Sequence, residues 1–224
     1  MEHRVTALRQ TPQGISVQLS AEAGPDVAYQ TRTVICTLPP RLLAPTVEFD
    51  LPLPEAVRSS WTAVPTYMPG NAKFVAIYEH AFWRDASLSG EGRSRVGPLV
   101  EIHDACDGHG LAALTAFVGT PPQAGMGALD HLCEAAIAQL VRLLGPAAQH
   151  PVACLLRDRA ADPLLATADD MQPLYAHPQY GRHASPPGEW AGCLILGGTE
   201  SAPTYGGDME GALEATEVAV AAAP

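Results

Sequence analysis

The chain has 224 residues, of which 47% are hydrophobic and 17% are charged, and its formal net charge is -11. This apolar content excludes an intrinsically disordered chain, which would be poorer in apolar residues and richer in charge. The excess of acidic residues argues against a nucleic-acid-binding protein, because contacts with phosphates require clustered lysine and arginine. The length suits one domain or slightly more, since a domain commonly has about 100–200 residues.

The start of the chain and its cysteines indicate the expected compartment. The N-terminus lacks the apolar core of a signal peptide, and no segment approaches the about 20 apolar residues of a membrane-spanning helix. The five cysteines are dispersed and include no CxxC pair, which predicts small buried side chains rather than a disulfide framework or a zinc site. We therefore expect a cytoplasmic protein that has no membrane partner.

The first third of the chain shows strand patterns separated by turns. Apolar residues alternate on both sides of a turn at residues 12–14, which predicts a β-hairpin. Residues 33–38 are β-branched and apolar, which predicts a buried strand that stops at Pro39. Residues 46–54 alternate but contain prolines, and a short helix is predicted from Pro54 to Trp61 because proline is tolerated in a first helical turn.

The remainder mixes strands with helices. Further strands are predicted at residues 73–78, 98–103, 111–118, 152–156 and 193–196. Leucine and alanine recur at helical spacing over residues 127–144, including Leu140 and Leu143, which predicts an amphipathic helix, and a last helix is predicted over residues 207–222. Residues 158–189 are irregular, which indicates a functional or covering loop. Because many strands are joined only by turns, we predict an α+β fold with a mixed, largely antiparallel sheet and packed helices.

The glycine-rich segment after the last predicted strand carries the clearest binding signal. Residues 197–200 (GGTE) end a strand, and residues 205–211 (YGGDMEG) lead into a helix. Backbone N–H groups and the positive end of the helix dipole meet at such a corner, which favours an anionic or acceptor-rich ligand. Glycine also allows a ligand to approach the backbone closely. An ordinary strand-to-helix connection would show the same pattern.

This segment resembles the C-terminal signature of the flavin-dependent amine oxidases, the monoamine and polyamine oxidase family. Other segments match that family in the same order, namely residues 3–6 (HRVT), 34–40 (VICTLPP), 51–54 (LPLP), 70–73 (GNAK), 82–83 (FW), 161–163 (ADP) and 178–181 (PQYG). The resemblance extends from Val5 to about Val220. It implies a partial FAD-binding segment over residues 1–45, a substrate domain over residues 46–190, and a flavin-contacting strand and helix over residues 191–224.

The resemblance also assigns roles to individual residues. Lys73 stands for the lysine that reaches a water beside flavin N5 and assists reoxidation by oxygen, so it is the expected catalytic residue. Because Lys73 opens an apolar strand, we expect its side chain to be buried, although an exposed lysine at a strand start has the same pattern. The residues implied to bind FAD are Val5, Gly198, Thr199, Glu200, Asp208, Met209 and Glu210. No cysteine stands at a flavin attachment point, so FAD would bind non-covalently.

Two departures from the family pattern concern the substrate. Asp208 stands where many members have tyrosine or phenylalanine, and Arg159 stands where tryptophan is usual. Asp208 and Arg159 are therefore the expected substrate residues. They favour a small amine that bears extra polar groups, or an amino-acid-like substrate, over a simple hydrophobic amine.

The largest departure is the missing GxGxxG motif, which in this family precedes the matched segments and holds the FAD pyrophosphate. The FAD site of this chain alone is therefore expected to be incomplete. A second chain that carries the motif is the expected partner, and self-association through an exposed apolar surface is a further expectation. Two alternatives remain open, namely a non-catalytic subunit or interaction protein derived from the family, and a truncated inactive form.

One cluster of polar residues suggests a metal site without fitting one. His103, Asp104, Cys106, Asp107 and His109 lie within seven residues, but their spacing matches no standard zinc pattern, so no metal is expected. The chain also lacks the GxSxG motif of serine hydrolases, which counts against that class of enzyme.

Overall fold

A computed structural model describes residues 3–68, 72–107, 110–119, 129–171, 176–181, 183 and 186–224. The chain forms two compact units, which we call unit 1 (Met1–Tyr67 and Leu174–Pro224) and unit 2 (Met68–Pro173). Each unit has a hydrophobic core of its own. Within the described part of the chain, no helix combines the length and apolar character needed to cross a membrane.

Unit 1 contains a four-stranded sheet and a separate pair of parallel strands. The sheet has the order β3-β2-β1-β5, with β1 (His3–Thr11), β2 (Gly14–Ala21), β3 (Val27–Thr31) and β5 (Glu48–Phe49). Strands β1, β2 and β3 are antiparallel neighbours, and the predicted hairpin at residues 12–14 is confirmed. The parallel pair consists of β4 (Val34–Cys36) and β11 (Leu194–Leu196). Residues 34–36 are half-buried rather than buried, because β11 is the only strand that pairs with β4 among the described residues.

The described residues of unit 1 also form three α-helices, two of which begin directly after a proline. They are α1 (Pro40–Thr46), α2 (Glu55–Thr62) and α5 (Met209–Ala222). The sequence pattern indicates only a strand stop at Pro39, yet this residue is the N-cap of α1, since proline fits the first helical turn. The core includes Trp61, which is fully buried and packs edge-on to Phe49 at a centroid distance of 6.3 Å.

Unit 2 is a five-stranded antiparallel sheet with helices packed on it. The strand order is β10-β6-β9-β8-β7, with β6 (Ala72–Tyr78), β7 (Gly92–Arg93), β8 (Leu99–Asp104), β9 (Ala112–Val118) and β10 (Ala153–Arg157). The helices are α3 (Phe82–Asp85) and α4 (Leu129–Leu144). The start of the helix predicted over residues 127–144 lies outside the described residues. The α+β class with largely antiparallel sheets is confirmed.

A buried amide joins α4 to the sheet of unit 2. The side chain of Gln139 is fully buried; its Nε2 donates to Leu99 O and its Oε1 accepts from Leu99 N, both at 2.8 Å. Gly97 has a φ of +102° and lies against this amide, where an added Cβ would come within 2.4 Å of Gln139 Oε1. Gln139 therefore faces the sheet, whereas Leu143, which the helical spacing places on the apolar face, is 45% exposed.

Asp104, from the cluster that suggested a metal, is a structural anchor at the end of β8. One of its oxygens accepts from Trp83 Nε1 at 2.9 Å and from Arg84 Nη2 at 2.8 Å, and the other accepts from Cys106 N at 2.9 Å. Partial burial alone would raise the pKa of Asp104, but these hydrogen bonds outweigh it and hold the pKa well below its usual range. Among the described residues, no group of three or more His, Cys, Asp or Glu side chains could hold a metal, and His109 lies outside them.

We expect Asp104→Ala to lower the free energy of unfolding by about 2 kcal/mol, because it leaves the buried indole N–H of Trp83 unpaired. The carboxylate stabilises the native state only when ionised. The difference from wild type should therefore be full at neutral pH and shrink as the pH falls below about 4. Urea unfolding at several pH values measures this. Asp85→Ala is the control, since that carboxylate is exposed and 3.8 Å from an exposed His80; equal losses in both variants would contradict the prediction.

Candidate functional site

The corner between β11 and α5 brings several of the predicted cofactor residues together in unit 1. β11 is followed by a 3₁₀ turn, Thr199–Ser201. The hydroxyl of Thr199 accepts from Gly207 N at 2.8 Å and donates to Asp208 O at 2.9 Å. One side chain therefore joins the turn after the strand to the residues that start the helix. These two hydrogen bonds hold Gly198 and Thr199 close to Asp208, as the strand–turn–helix pattern predicts.

The segment between the turn and α5 is packed too tightly for larger residues at its glycines. A Cβ on Gly206 would lie 2.5 Å from Tyr180 Cβ, and one on Gly211 would lie 2.0 Å from Tyr205 O. Gly207 has a φ of +94°, which L side chains rarely adopt. Glu214 Oε2 accepts from Tyr205 N at 3.2 Å. The pKa of Glu214 is lowered, chiefly by a hydrogen bond with the Thr204 side chain and further by the backbone N–H groups of Tyr205 and Thr204. The glycines of the predicted motif thus serve the internal packing of the corner.

The N-terminus of α5 is open at the surface. Asp208 is the N-cap residue, but its side chain makes no capping hydrogen bond. The side chains of Asp208 and Glu210 are exposed, and that of Met209 is 88% exposed. Because the first N–H groups of a helix have no acceptor within the helix, this end offers hydrogen-bond donors and a positive dipole end to a ligand.

Glu200 is a buried carboxylate beside this corner. Its residue is only 3% exposed, and its backbone oxygen accepts from Gly181 N at 2.9 Å. A Cβ on Gly198 would come within 3.0 Å of both Glu200 Oε2 and Thr37 O. Glycine at this position therefore allows the buried carboxylate and the end of β11 to lie side by side.

The side chains of two tyrosines, Tyr67 and Tyr180, pack against the Gly206–Gly207 segment. The sequence does not indicate that these two tyrosines lie close together. The Gly207 backbone lies between the Tyr67 and Tyr180 rings, where a Cβ would be 3.0 Å from Tyr67 Cγ and 3.1 Å from Tyr180 Cε2. The hydroxyl of Tyr180 donates to Pro65 O at 2.9 Å, and the ring is nearly buried. The His177 ring contacts the Tyr67 ring at a centroid distance of 4.8 Å and an interplanar angle of 43°. Tyr180 belongs to the PQYG run noted in the sequence, which is the only signal that could have drawn attention to it.

Val5, one of the residues implied to bind FAD, lies in β1 and packs half-buried against the core of unit 1. It pairs with Leu19, and the register between β1 and β2 shifts between Val5 and Ala7. This places Val5 at an irregular point of the hairpin.

The expectation that Lys73 is buried is wrong, because its side chain is exposed in unit 2. Side chains alternate along a strand, and the neighbours Ala72 and Phe74 point into the core. Lys73 therefore points to the opposite face of the sheet, where its Nζ lies 5.3 Å from the centroid of the Phe117 ring. This geometry is a cation–π contact.

Lys73 belongs to a row of side chains that crosses the whole sheet of unit 2. Strand register aligns Arg157, Lys73, Phe117, Glu101 and Arg93 in that order, one from each strand. Residues paired across strands share a face, so the row lies opposite the core. The alternation of KFVAIY separates Lys73 from the core-facing residues of β6. In β8, however, the register shifts between Leu99 and Glu101, so the pairing of the strands was needed to place Glu101 in this row.

A recess of about 540 Å³ opens on this face of unit 2. Arg93, Arg95, Glu101, Phe117 and Met68 are among its lining residues. Glu101 lies 3.2 Å from Arg93. The predicted substrate residue Arg159 is half-buried in the turn after β10, two residues beyond Arg157. Lys73 and Arg159 thus belong to unit 2, whereas the other predicted site residues belong to unit 1.

The family model for flavin containing amine oxidoreductases matches residues 1–223. The chain belongs to this family. Solved structures of amine oxidases share its fold. A triple mutant of putrescine oxidase gives a TM-score of 0.74 at 22% identity, covering 98% of this chain and 48% of that one. Wild-type putrescine oxidase bound to putrescine gives 0.71 at 21% identity, with the same coverage.

Cyclohexylamine oxidase from Brevibacterium oxydans IH-35A gives a TM-score of 0.72 at 20% identity, covering 98% of this chain and 47% of that chain. The chain therefore spans about half the length of these amine oxidases. As a member of the flavin amine oxidoreductase family, it is expected to work with a flavin. The open helix start at Asp208–Met209 fits such a cofactor, since a flavin ring has an edge rich in hydrogen-bond acceptors.

Proposed function

We propose that the chain is the C-terminal part of an FAD-dependent amine oxidase that oxidises a small amine. In this reaction the amine would lose a hydride from the carbon bonded to its nitrogen and a proton from the nitrogen, which gives an imine, and oxygen would be reduced to hydrogen peroxide. The bound flavin would supply the hydride acceptor and the reaction with oxygen. The observation that carries the proposal is the corner at Thr199, which joins the end of β11 to the open start of α5 in a chain of this family.

The residues of unit 1 would hold FAD without a covalent bond. The N–H groups of Met209 and Glu210 would donate to the flavin ring at the start of α5. Gly198 and Thr199 would let the cofactor approach the end of β11, and the buried Glu200 would orient that region. Asp208 lies at the same helix start, and the backbone of Val5 would contact adenine.

Two residues of unit 2 would act on the reaction. Lys73 would hold a water by donating a hydrogen bond from its exposed ammonium group, and it would supply positive charge during the reduction of oxygen. The cation–π contact with Phe117 restrains the lysine side chain on this face of the sheet. Arg159 would contact a polar group of the amine substrate.

The missing half of the FAD site would come from a second chain that carries GxGxxG. The pair β4–β11 supports this part of the proposal, because all-parallel sheets normally have several strands and are covered on both faces. A two-stranded sheet with three residues in each strand is too small to be stable alone. A parallel strand contributed by the second chain would therefore extend the existing β4–β11 sheet.

The test is the flavin spectrum of the purified chain, with and without a co-expressed chain that contains the GxGxxG motif. We expect little or no flavin on the chain alone, and stoichiometric flavin together with amine-dependent peroxide formation after co-expression. Stoichiometric, tightly held flavin on the chain alone would contradict the incomplete site. Flavin binding without amine oxidation after co-expression would favour a non-catalytic member of the family.

A further inference from the structure

The recess on the open face of unit 2 carries more positive than negative charge. Lys73 and Phe117 lie in one row with Glu101 and Arg93, and Arg95 lines the same recess two residues after Arg93. Among the described lining residues, two cations, Arg93 and Arg95, therefore stand against the single carboxylate of Glu101. Lys73 lies next to the lining residue Phe117 but does not itself line the recess.

The positive charges differ in what they already contact. Arg93 lies 3.2 Å from Glu101, and these two charges largely balance each other. The ammonium group of Lys73 is directed to the Phe117 ring. Arg95 has no ion-pair partner anywhere in the described ranges, and it faces the recess as an exposed guanidinium.

The loop that carries Arg95 is held in place from several sides. Ser94 Oγ donates to Val96 O at 2.9 Å, and Arg142 Nη2 donates to the same carbonyl at 3.1 Å. Gly97 packs directly against the buried amide of Gln139. The backbone on both sides of Arg95 is therefore fixed before any ligand binds, which lowers the entropic cost of binding.

We propose that this recess binds the carboxylate of an amine substrate that carries both groups, with Arg95 as the principal contact and Arg93 beside it. A guanidinium can donate two parallel hydrogen bonds to a carboxylate, and such bonds are among the stronger ones in proteins. Phe117 and Met68 supply an apolar wall for the short chain that joins carboxylate and amine. This inference rests on the proposed amine oxidation and specifies its substrate as an amino acid with its amine at a distance from the carboxylate.

Three ligands of equal chain length test the proposal on the 224-residue chain without flavin. They are 5-aminopentanoate, pentylamine and 1,5-diaminopentane, which differ only in the group at one end. Titrations followed by ¹H–¹⁵N NMR measure binding of each. We expect 5-aminopentanoate to bind about tenfold more tightly than the other two. Arg95→Gln should remove that advantage, whereas Arg157→Gln, at the opposite edge of the same sheet, should preserve it.

Two results would overturn the proposal. One is equal binding of all three ligands, or an advantage of 5-aminopentanoate that survives Arg95→Gln. The other is preferred binding of 1,5-diaminopentane that is lost in Glu101→Gln, which would make the recess a site for a second ammonium group. Because no flavin is needed, binding through Arg95 in a chain that never gains oxidase activity would contradict only the proposed function. Oxidation of amines without binding through Arg95 would contradict only this inference.

Discussion

Gly211→Ala is expected to lower the free energy of unfolding by about 3 kcal/mol, because the new methyl group would overlap the backbone. An added Cβ would lie 2.0 Å from Tyr205 O and 2.8 Å from Thr199 Oγ1. Alanine favours a helix over glycine by up to about 1 kcal/mol, which offsets only part of this cost. Tyr205 cannot shift freely, since Glu214 accepts from its N–H and Thr199 ties the following residues to the turn. The whole corner must therefore move.

The substitution should also abolish flavin capture after co-expression with a chain that contains GxGxxG, because it displaces the start of α5. Urea unfolding monitored by circular dichroism measures the first effect, and the flavin spectrum measures the second. Gly92→Ala is the matched control, since its Cβ would meet nothing closer than Ile102 Cδ1 at 3.9 Å. An unfolding free energy for Gly211→Ala equal to that of the control would show that the corner is not packed as described.

Lys73→Met is expected to slow reoxidation of the reduced flavin by oxygen by about a hundredfold in the completed oxidase, in the range typical of a lost general acid or charged group. Reduction of the flavin by amine under anaerobic conditions should change little, since the proposed role of Lys73 lies in the oxygen reaction. The fold should be unaffected, because the side chain is exposed on the face opposite the core.

Stopped-flow measurements of the two half-reactions separate these effects. Arg157→Met is the control, since Arg157 pairs with Lys73 in register on the adjacent strand and shares its face. A wild-type rate of reoxidation in Lys73→Met, or an equal loss in Arg157→Met, would remove Lys73 from the reaction. The first outcome would leave the carboxylate recess untouched as a proposal, because binding at Arg95 is measured without flavin.

The helix α4 shows where a sequence pattern is reliable and where it is not. Helical spacing of apolar residues predicts its existence and its end at Leu144, and Ala136 and Leu140 are fully buried as that spacing requires. The same spacing places Leu143 inside, whereas Leu143 is exposed and Gln139 is buried. A polar residue is tolerated there because Leu99 offers both a donor and an acceptor to its amide. That pairing joins residues 40 positions apart, which no local pattern contains.

In the candidate sites as well, some features follow from the sequence and others only from the tertiary structure. The sequence by itself determined the strand–turn–helix corner at Thr199 and Asp208, the family, and the α+β class, because these depend on local patterns and on motifs in a fixed order. Only the tertiary structure decided that Lys73 is exposed and that it shares a row with Phe117, Glu101 and Arg93. The physical reason is that strand alternation assigns each side chain to one of two faces, whereas burial and neighbours depend on which strands pair and which face the helices cover.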